Sequence, residues 1–108
     1  MSKPRDALIE VEVRGHEIIC DPAVTVFTGR KVEWVAGPES PNLQFQLSFD
    51  RSTPSGKKPF PGAPPAGQKT PLASSYSAII TATKDEGFKY TVYVTGYPDY
   101  DPMIIVGR

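Results

Sequence analysis

His16 and Cys20 are each the only residue of their kind in this 108-residue chain, and an imidazole beside a thiol is the minimal machinery of a cysteine nucleophile. Four residues part them. On one extended strand, at about 3.3 Å per residue, their α-carbons would stand roughly 13 Å apart, beyond hydrogen-bond reach. Cys20 therefore reads as a small buried hydrophobe and His16 as a strand-start or surface residue. A Ser-His-Asp triad would also have to use His16, and none of Ser40, Ser48, Ser52, Ser55, Ser74, Ser75 and Ser77 occupies a Gly-x-Ser-x-Gly elbow. Glu10, Glu12, Glu17 and Glu33 could supply a carboxylate pair for glycosidic acid-base chemistry, but they alternate with apolar residues as solvated strand faces do. Asp99 and Asp101 with Asp85 suggest a cation site yet lack the Gly-hinged, Glu-closed loop of calcium binders. A phosphate-cradling Gly-x-x-x-x-Gly-Lys-Ser/Thr run is absent. With one cysteine, a single chain can build neither a disulfide nor a Cys-rich zinc site. The expectation is no catalytic residue, no cofactor and no metal.

Two clusters remain that could contact something. Lys57, Lys58 and Lys69 with Phe60 form the only basic group with an aromatic, on a proline-rich stretch that is a poor match to a nucleic-acid groove. The twelve acidic and twelve basic residues balance, so no net field draws in nucleic acid or an anionic membrane. Tyr97, Asp99, Tyr100 and Asp101 occupy a short Pro-bounded turn, where tyrosine offers contact area at low entropy cost. The alternative is that these tyrosines cap the end of the fold. The partner-contacting set expected is Lys57, Lys58, Phe60, Tyr97, Asp99, Tyr100 and Asp101.

Period-2 alternation supplies the elements that must carry these residues. Leu43, Phe45, Leu47 and Phe49 face one way and Gln44, Gln46, Ser48 and Asp50 the other, as in a half-buried strand. Ile9 to Val13 and Phe88 to Val94 alternate likewise before Gly15 and Gly96. Val24 to Phe27 and Lys31 to Val35 flank Thr28-Gly29-Arg30, a spacing that suits a hairpin with Gly29 left-handed. His16 to Cys20, Tyr76 to Thr83 and Met103 to Val106 bring the total to about eight strands, and no 3.6-residue apolar stripe predicts a helix. The economical fold is all-β: one domain over residues 1–108, a two-sheet antiparallel β-sandwich of about 7–8 strands. Its core is expected from Val11, Val26, Val32, Trp34, Phe45, Leu47, Phe88, Tyr90, Val92 and Ile105. Arg51 to Pro71 holds six of the twelve prolines and three glycines, so it reads as a long loop, dispensable for folding. A lone cysteine, with no apolar run of signal-peptide or membrane-spanning length, points to the cytoplasm.

Asp21-Pro22-Ala23-Val24-Thr25-Val26-Phe27-Thr28-Gly29-Arg30-Lys31-Val32-Glu33-Trp34-Val35 resembles the cupredoxin run of a proline, an alternating strand, a Gly turn and a strand with Val-x-Trp. Gly87 to Val94, followed by Asp101-Pro102-Met103-Ile104-Ile105-Val106, is similar to that family's last two strands. The resemblance implies a Greek-key sandwich of the blue-copper type. It also locates a departure: blue copper needs two imidazoles and a thiolate with a weak axial thioether. The stretch from Val92 to Met103, where the resemblance places the Cys, one His and the Met, holds no Cys and no His, and Pro41-Asn42 stands near the other His position. Met103 alone does not hold copper. The expected function is a non-enzymatic, copper-free cupredoxin-like interaction or accessory module that contacts a protein partner through loops or edge strands, with no nucleic acid and no membrane. The alternatives are a metal-handling or electron-transfer protein whose site combines His16 and Cys20 of different chains, and a small-ligand-binding sandwich.

Overall fold

A computed structural model describes residues 6–49, 60–64, 67–81 and 87–107. Lys57, Lys58 and Asp85 lie outside the described residues. The chain is all-β, with nine strands among the described residues: β1 (Ala7–Arg14), β2 (Glu17–Ile19), β3 (Ala23–Phe27), β4 (Lys31–Ala36), β5 (Gln46–Ser48), β6 (Ser75–Ile79), β7 (Gly87–Lys89), β8 (Thr91–Tyr93) and β9 (Met103–Gly107). Among the described residues no helix is long and apolar enough to cross a membrane.

The strands hydrogen-bond in the orders β2-β1-β4-β6, β3-β9-β7 and β5-β8. Pairing is mixed, which corrects the antiparallel expectation: β1 runs parallel to β4 and β3 parallel to β9. The cause lies at Gly29. Its φ of 85° is the left-handed conformation expected there, and Arg30 N–H donates to the Phe27 carbonyl at 3.0 Å. Yet β3 and β4 do not pair as a hairpin. The turn sends them to different sheets, so each takes a partner distant in sequence.

One residue, Tyr90, parts β7 from β8. Phe88 opposes Ile104, Tyr90 N–H donates to the Pro102 carbonyl at 3.1 Å, and Val92 exchanges bonds of 2.7 and 3.2 Å with Tyr100. The ladder is therefore continuous in register from β7 through β8. Pro102 has no N–H to return a bond to Tyr90, and this interrupts the strand. The other flank of β8 pairs with β5, so the segment from Gly87 to Tyr93 links two of the hydrogen-bonded sheets.

Inward residues of every sheet meet in one cluster. Trp34, Tyr90, Phe45, Phe49, Phe88, Ile9 and Leu47 are its largest fully buried side chains. Nine of the ten expected core residues are buried; Ile105 is not, being 38% exposed while Ile104 and Val106 point inward. Met103 to Val106 is apolar throughout, so alternation could not set its phase. Inside the cluster, Trp34 Nε1–H donates to Tyr90 Oη at 3.1 Å. Trp34 meets Phe49 and Tyr90 edge-on at centroid distances of 6.0 and 5.5 Å, pairings worth about 0.5–1.5 kcal/mol beyond burial.

Phe60 joins this cluster. It is 3% exposed and packs edge-on against Phe49 at 5.1 Å, which corrects its assignment to a partner-contacting arm. Ten residues on, buried Thr70 accepts the Leu47 N–H on its hydroxyl at 2.9 Å and donates its own N–H to the Leu47 carbonyl at 2.8 Å. Phe60 and Thr70, both within the stretch expected to be a dispensable loop, are thus buried, while residues 51–59, 65 and 66 of it lie outside the described residues. The reason is local: an apolar ring in a proline-rich run gains most from burial, which composition alone hides.

Trp34→Ala should lower the free energy of unfolding by about 3–5 kcal/mol, and Phe60→Ala by a similar amount, since both leave cavities in a packed core. Thr70→Ala should cost about 1–3 kcal/mol by stranding the Leu47 N–H. Urea titration followed by Trp34 fluorescence measures the last two, and circular dichroism measures the first. A Phe60→Ala loss below about 1 kcal/mol would place that ring outside the core.

Candidate functional site

The turn between β1 and β2 and the loop between β8 and β9 converge at one end of the molecule. Gly15 makes the first turn at φ 62° and presents His16, exposed, at its exit. Gly96 makes the second at φ 88°, where Tyr97 N–H donates to the Val94 carbonyl at 3.0 Å. Tyr100 is tied back to Val92 through both backbone groups, and Thr91 Oγ1–H donates to Asp101 Oδ1 at 2.7 Å. The loop is thereby held at both ends, with exposed Pro98 and Asp99 at its tip.

Between them lies a cleft of about 280 Å³ lined by His16, Glu17, Ile18, Pro98, Asp99 and Tyr100. Of the sequence-predicted residues, Asp99 and Tyr100 line this cleft; Tyr97 is half-buried against the core cluster in the same loop; Asp101 is engaged by Thr91. Tyr100 also packs on the cluster, so these tyrosines partly cap the fold while keeping exposed surface. His16, Glu17 and Ile18 were missing from the expected set. No local signal marks them, because their membership depends on residues 98–100, at least 80 positions away in sequence.

Cys20 does not join His16. It is buried, 9% exposed, with Sγ 3.9 Å from Tyr90 Oη and 3.8 Å from the Asp21 carbonyl. Burial pushes its thiol up to about 11, the hydrogen bond with Tyr90 opposing only part of that rise. Burial likewise drives Tyr90 far above the usual tyrosine range and, more weakly, raises Tyr100. Trp34, Tyr90 and Cys20 thus form a neutral, packed polar chain. No group of three or more His, Cys, Asp or Glu side chains among the described residues could hold a metal ion. The donor set does not fit copper: the thiol is protonated and enclosed, and the one imidazole is on the surface.

No protein-family model matches the chain, and no curated protein matches it.

Native Cys20 should react with iodoacetamide at neutral pH at least about 100-fold more slowly than the urea-unfolded chain, since a shift from 9.0 to about 11 removes that factor in thiolate. The folded value stands above the unfolded one, so the associated stabilisation is complete below pH 9.0 and is lost as pH rises through about 11. Unfolding titrations of the wild type and Cys20→Ala across that window measure it, with the wild type losing more stability as pH climbs. Equal native and unfolded alkylation rates would contradict an enclosed thiol.

Proposed function

We propose that the chain is a non-enzymatic interaction module: a copper-free, cupredoxin-like β-sandwich of two sheets that contacts a protein partner through the end bearing His16, Glu17, Asp99 and Tyr100. The observation that carries this reading is the cleft itself, where two glycine-turned loops present acids, an imidazole and half-exposed tyrosines over a rigid core. Tyrosine on a tethered loop loses little entropy on binding, and mixed polar groups at a rim select partners rather than perform chemistry.

Three features support the sandwich. The stretches that carry the resemblance, 21–35, 87–94 and 101–106, bring β3, β7 and β9 together as one sheet, with β4 and β8 in the other two. The smallest dimension of the molecule, 20 Å, suits two layers packed face to face about 10 Å apart with their side chains. One hydrophobic cluster joins all the sheets.

The enclosed, protonated Cys20 weighs against both a nucleophile and a thiolate ligand shared between chains. Equilibrium dialysis against copper and zinc separates the metal-handling reading: stoichiometric binding that Cys20→Ala abolishes would favour it over the module. For the module, affinity capture from native extract should yield proteins retained by the wild type and by Lys31→Ala, in β4 beside the far end of β1, but lost by His16→Ala and Tyr100→Ala. Retention by all variants would move the contact away from this cleft, and turnover of a substrate dependent on a named side chain would end the non-enzymatic reading.

A further inference from the structure

Several carboxylates of this chain hold its loops. Asp6 accepts the Lys31 N–H at 2.9 Å and lies 3.3 Å from the Arg30 guanidinium, Glu12 accepts the Glu39 N–H at 2.7 Å, and Asp101 accepts the Thr91 hydroxyl at 2.7 Å. Glu17 and Asp99 have no such duty, for among the described residues neither side chain makes a hydrogen bond or an ion pair. Both face one space. Glu17 lines the end cleft from β2 and Asp99 from the loop between β8 and β9, with no lysine or arginine beside them. Arg14 opposes Glu17 in the β1–β2 register, yet the two form no ion pair and Arg14 does not line the cleft. On a chain whose acids and bases balance, this end is locally anionic.

The surfaces between the two acids are apolar. Buried Ile18, the Pro98 ring and half-buried Tyr100 offer a floor for an aliphatic stem and a flat face for a cationic head. Burial raises the Tyr100 hydroxyl above the usual tyrosine value, and Cys20 and the Asp21 carboxylate raise it further, so the ring stays a neutral phenol within reach of a third acid. At about 280 Å³ the cleft falls just short of the roughly 300 Å³ at which pockets for drug-sized ligands begin, a size that suits one long side chain.

We propose that this cleft takes an arginine side chain of the protein partner, its guanidinium held between Glu17 and Asp99 and stacked on Tyr100. The inference rests on the reading of this end as the contact surface and adds the chemistry that the surface selects. An anionic group would be repelled by both acids, and an apolar one would strip water from them without replacing it. A lysine ammonium is a compact, strongly hydrated point charge. Guanidinium is more weakly hydrated, presents a planar fork of N–H donors that reaches carboxylates on two sides, and keeps its face free for a ring.

The isotopically labelled full chain, held at about pH 8 where free imidazole is uncharged, is titrated with N-acetyl-Gly-Arg-Gly-amide. The same peptide with citrulline or lysine in place of arginine serves as the comparison. Amide NMR signals of His16, Glu17, Asp99 and Tyr100 should shift with the arginine peptide, with a dissociation constant on the order of millimolar. The citrulline peptide should leave them in place and the lysine peptide should bind more weakly. Glu17→Gln and Asp99→Asn should each weaken the arginine peptide by about two- to fivefold, as loss of one exposed ion pair does, while Lys31→Ala changes nothing. No shift with the arginine peptide, equal shifts with citrulline, equally tight binding of lysine, or undiminished binding in the Glu17→Gln/Asp99→Asn double variant each overturns the proposal. A captured partner that is lost with Tyr100→Ala but kept by that double variant leaves the contact surface standing and overturns the arginine. Peptide binding at these residues with no partner captured upholds the preference of the cleft and counts against the module alone.

Discussion

The hydrogen bond from Trp34 Nε1 to Tyr90 Oη, made in the middle of the core, is the interaction on which the remaining architecture leans. Trp34 comes from β4, which is paired on both flanks, and Tyr90 from the residue between β7, which pairs with β9, and β8, whose other flank pairs with β5. A buried indole N–H without an acceptor costs about 1–3 kcal/mol, so the segments that carry Trp34 and Tyr90 are held together by a polar requirement as well as by apolar area. The Tyr90 hydroxyl in turn contacts Cys20, and the whole chain is kept neutral by burial. Around it the rings of Phe49, Phe60 and Tyr76 close the cluster, which is why a residue from a proline-rich stretch becomes part of the core.

The second constraint is the divergence at Gly29. A hairpin there would have kept β3 and β4 in one sheet and left β1 and β9 to find other partners. Because the turn separates them, β1 lies parallel to β4 and β9 parallel to β3. Strand β1 is then tied to the loop after β4: Gly37 N–H donates to the Val11 carbonyl at 2.9 Å, and Glu12 Oε2 accepts from Glu39 N–H at 2.7 Å. The Glu12 side chain lies where a Cβ on Gly37 would have to go, so only glycine admits this wrap. These ties hold the β1–β2 turn in place opposite the β8–β9 loop, and the cleft is the space left between two anchored loops.

The polar chain and the cleft have different physical characters. Trp34, Tyr90 and Cys20 are enclosed, uncharged at neutral pH and spent on one another. His16, Glu17 and Asp99 remain exposed to solvent, where a partner can reach them. This division explains why the chain's two most chemically capable residues, His16 and Cys20, do not cooperate although four positions part them: one points to water from a turn and the other is committed to the core.

Alternation along the sequence determined that the chain is all-β and which face of most strands is buried, because a strand's period of two can be read wherever polar and apolar residues take turns, as from Leu43 to Phe49. Composition alone determined that no disulfide can form within the chain, and glycine placement marked the turns at Gly15, Gly29 and Gly96. What each strand pairs with was not written locally: the ladders β1–β4 and β3–β9 join residues more than 20 positions apart, and their selection depends on which arrangement encloses Trp34 and Tyr90 together. The phase of Met103 to Val106 was equally hidden, since a run with no polar member offers two orientations that only packing distinguishes. Tyr100 and Asp99 could be singled out by residue type on a Pro-bounded turn, whereas His16, Glu17 and Ile18 entered the site only through proximity in the folded chain. Local chemistry is carried by the residue and its immediate neighbours; a cleft is a property of two loops at once, and long-range packing alone decides which two.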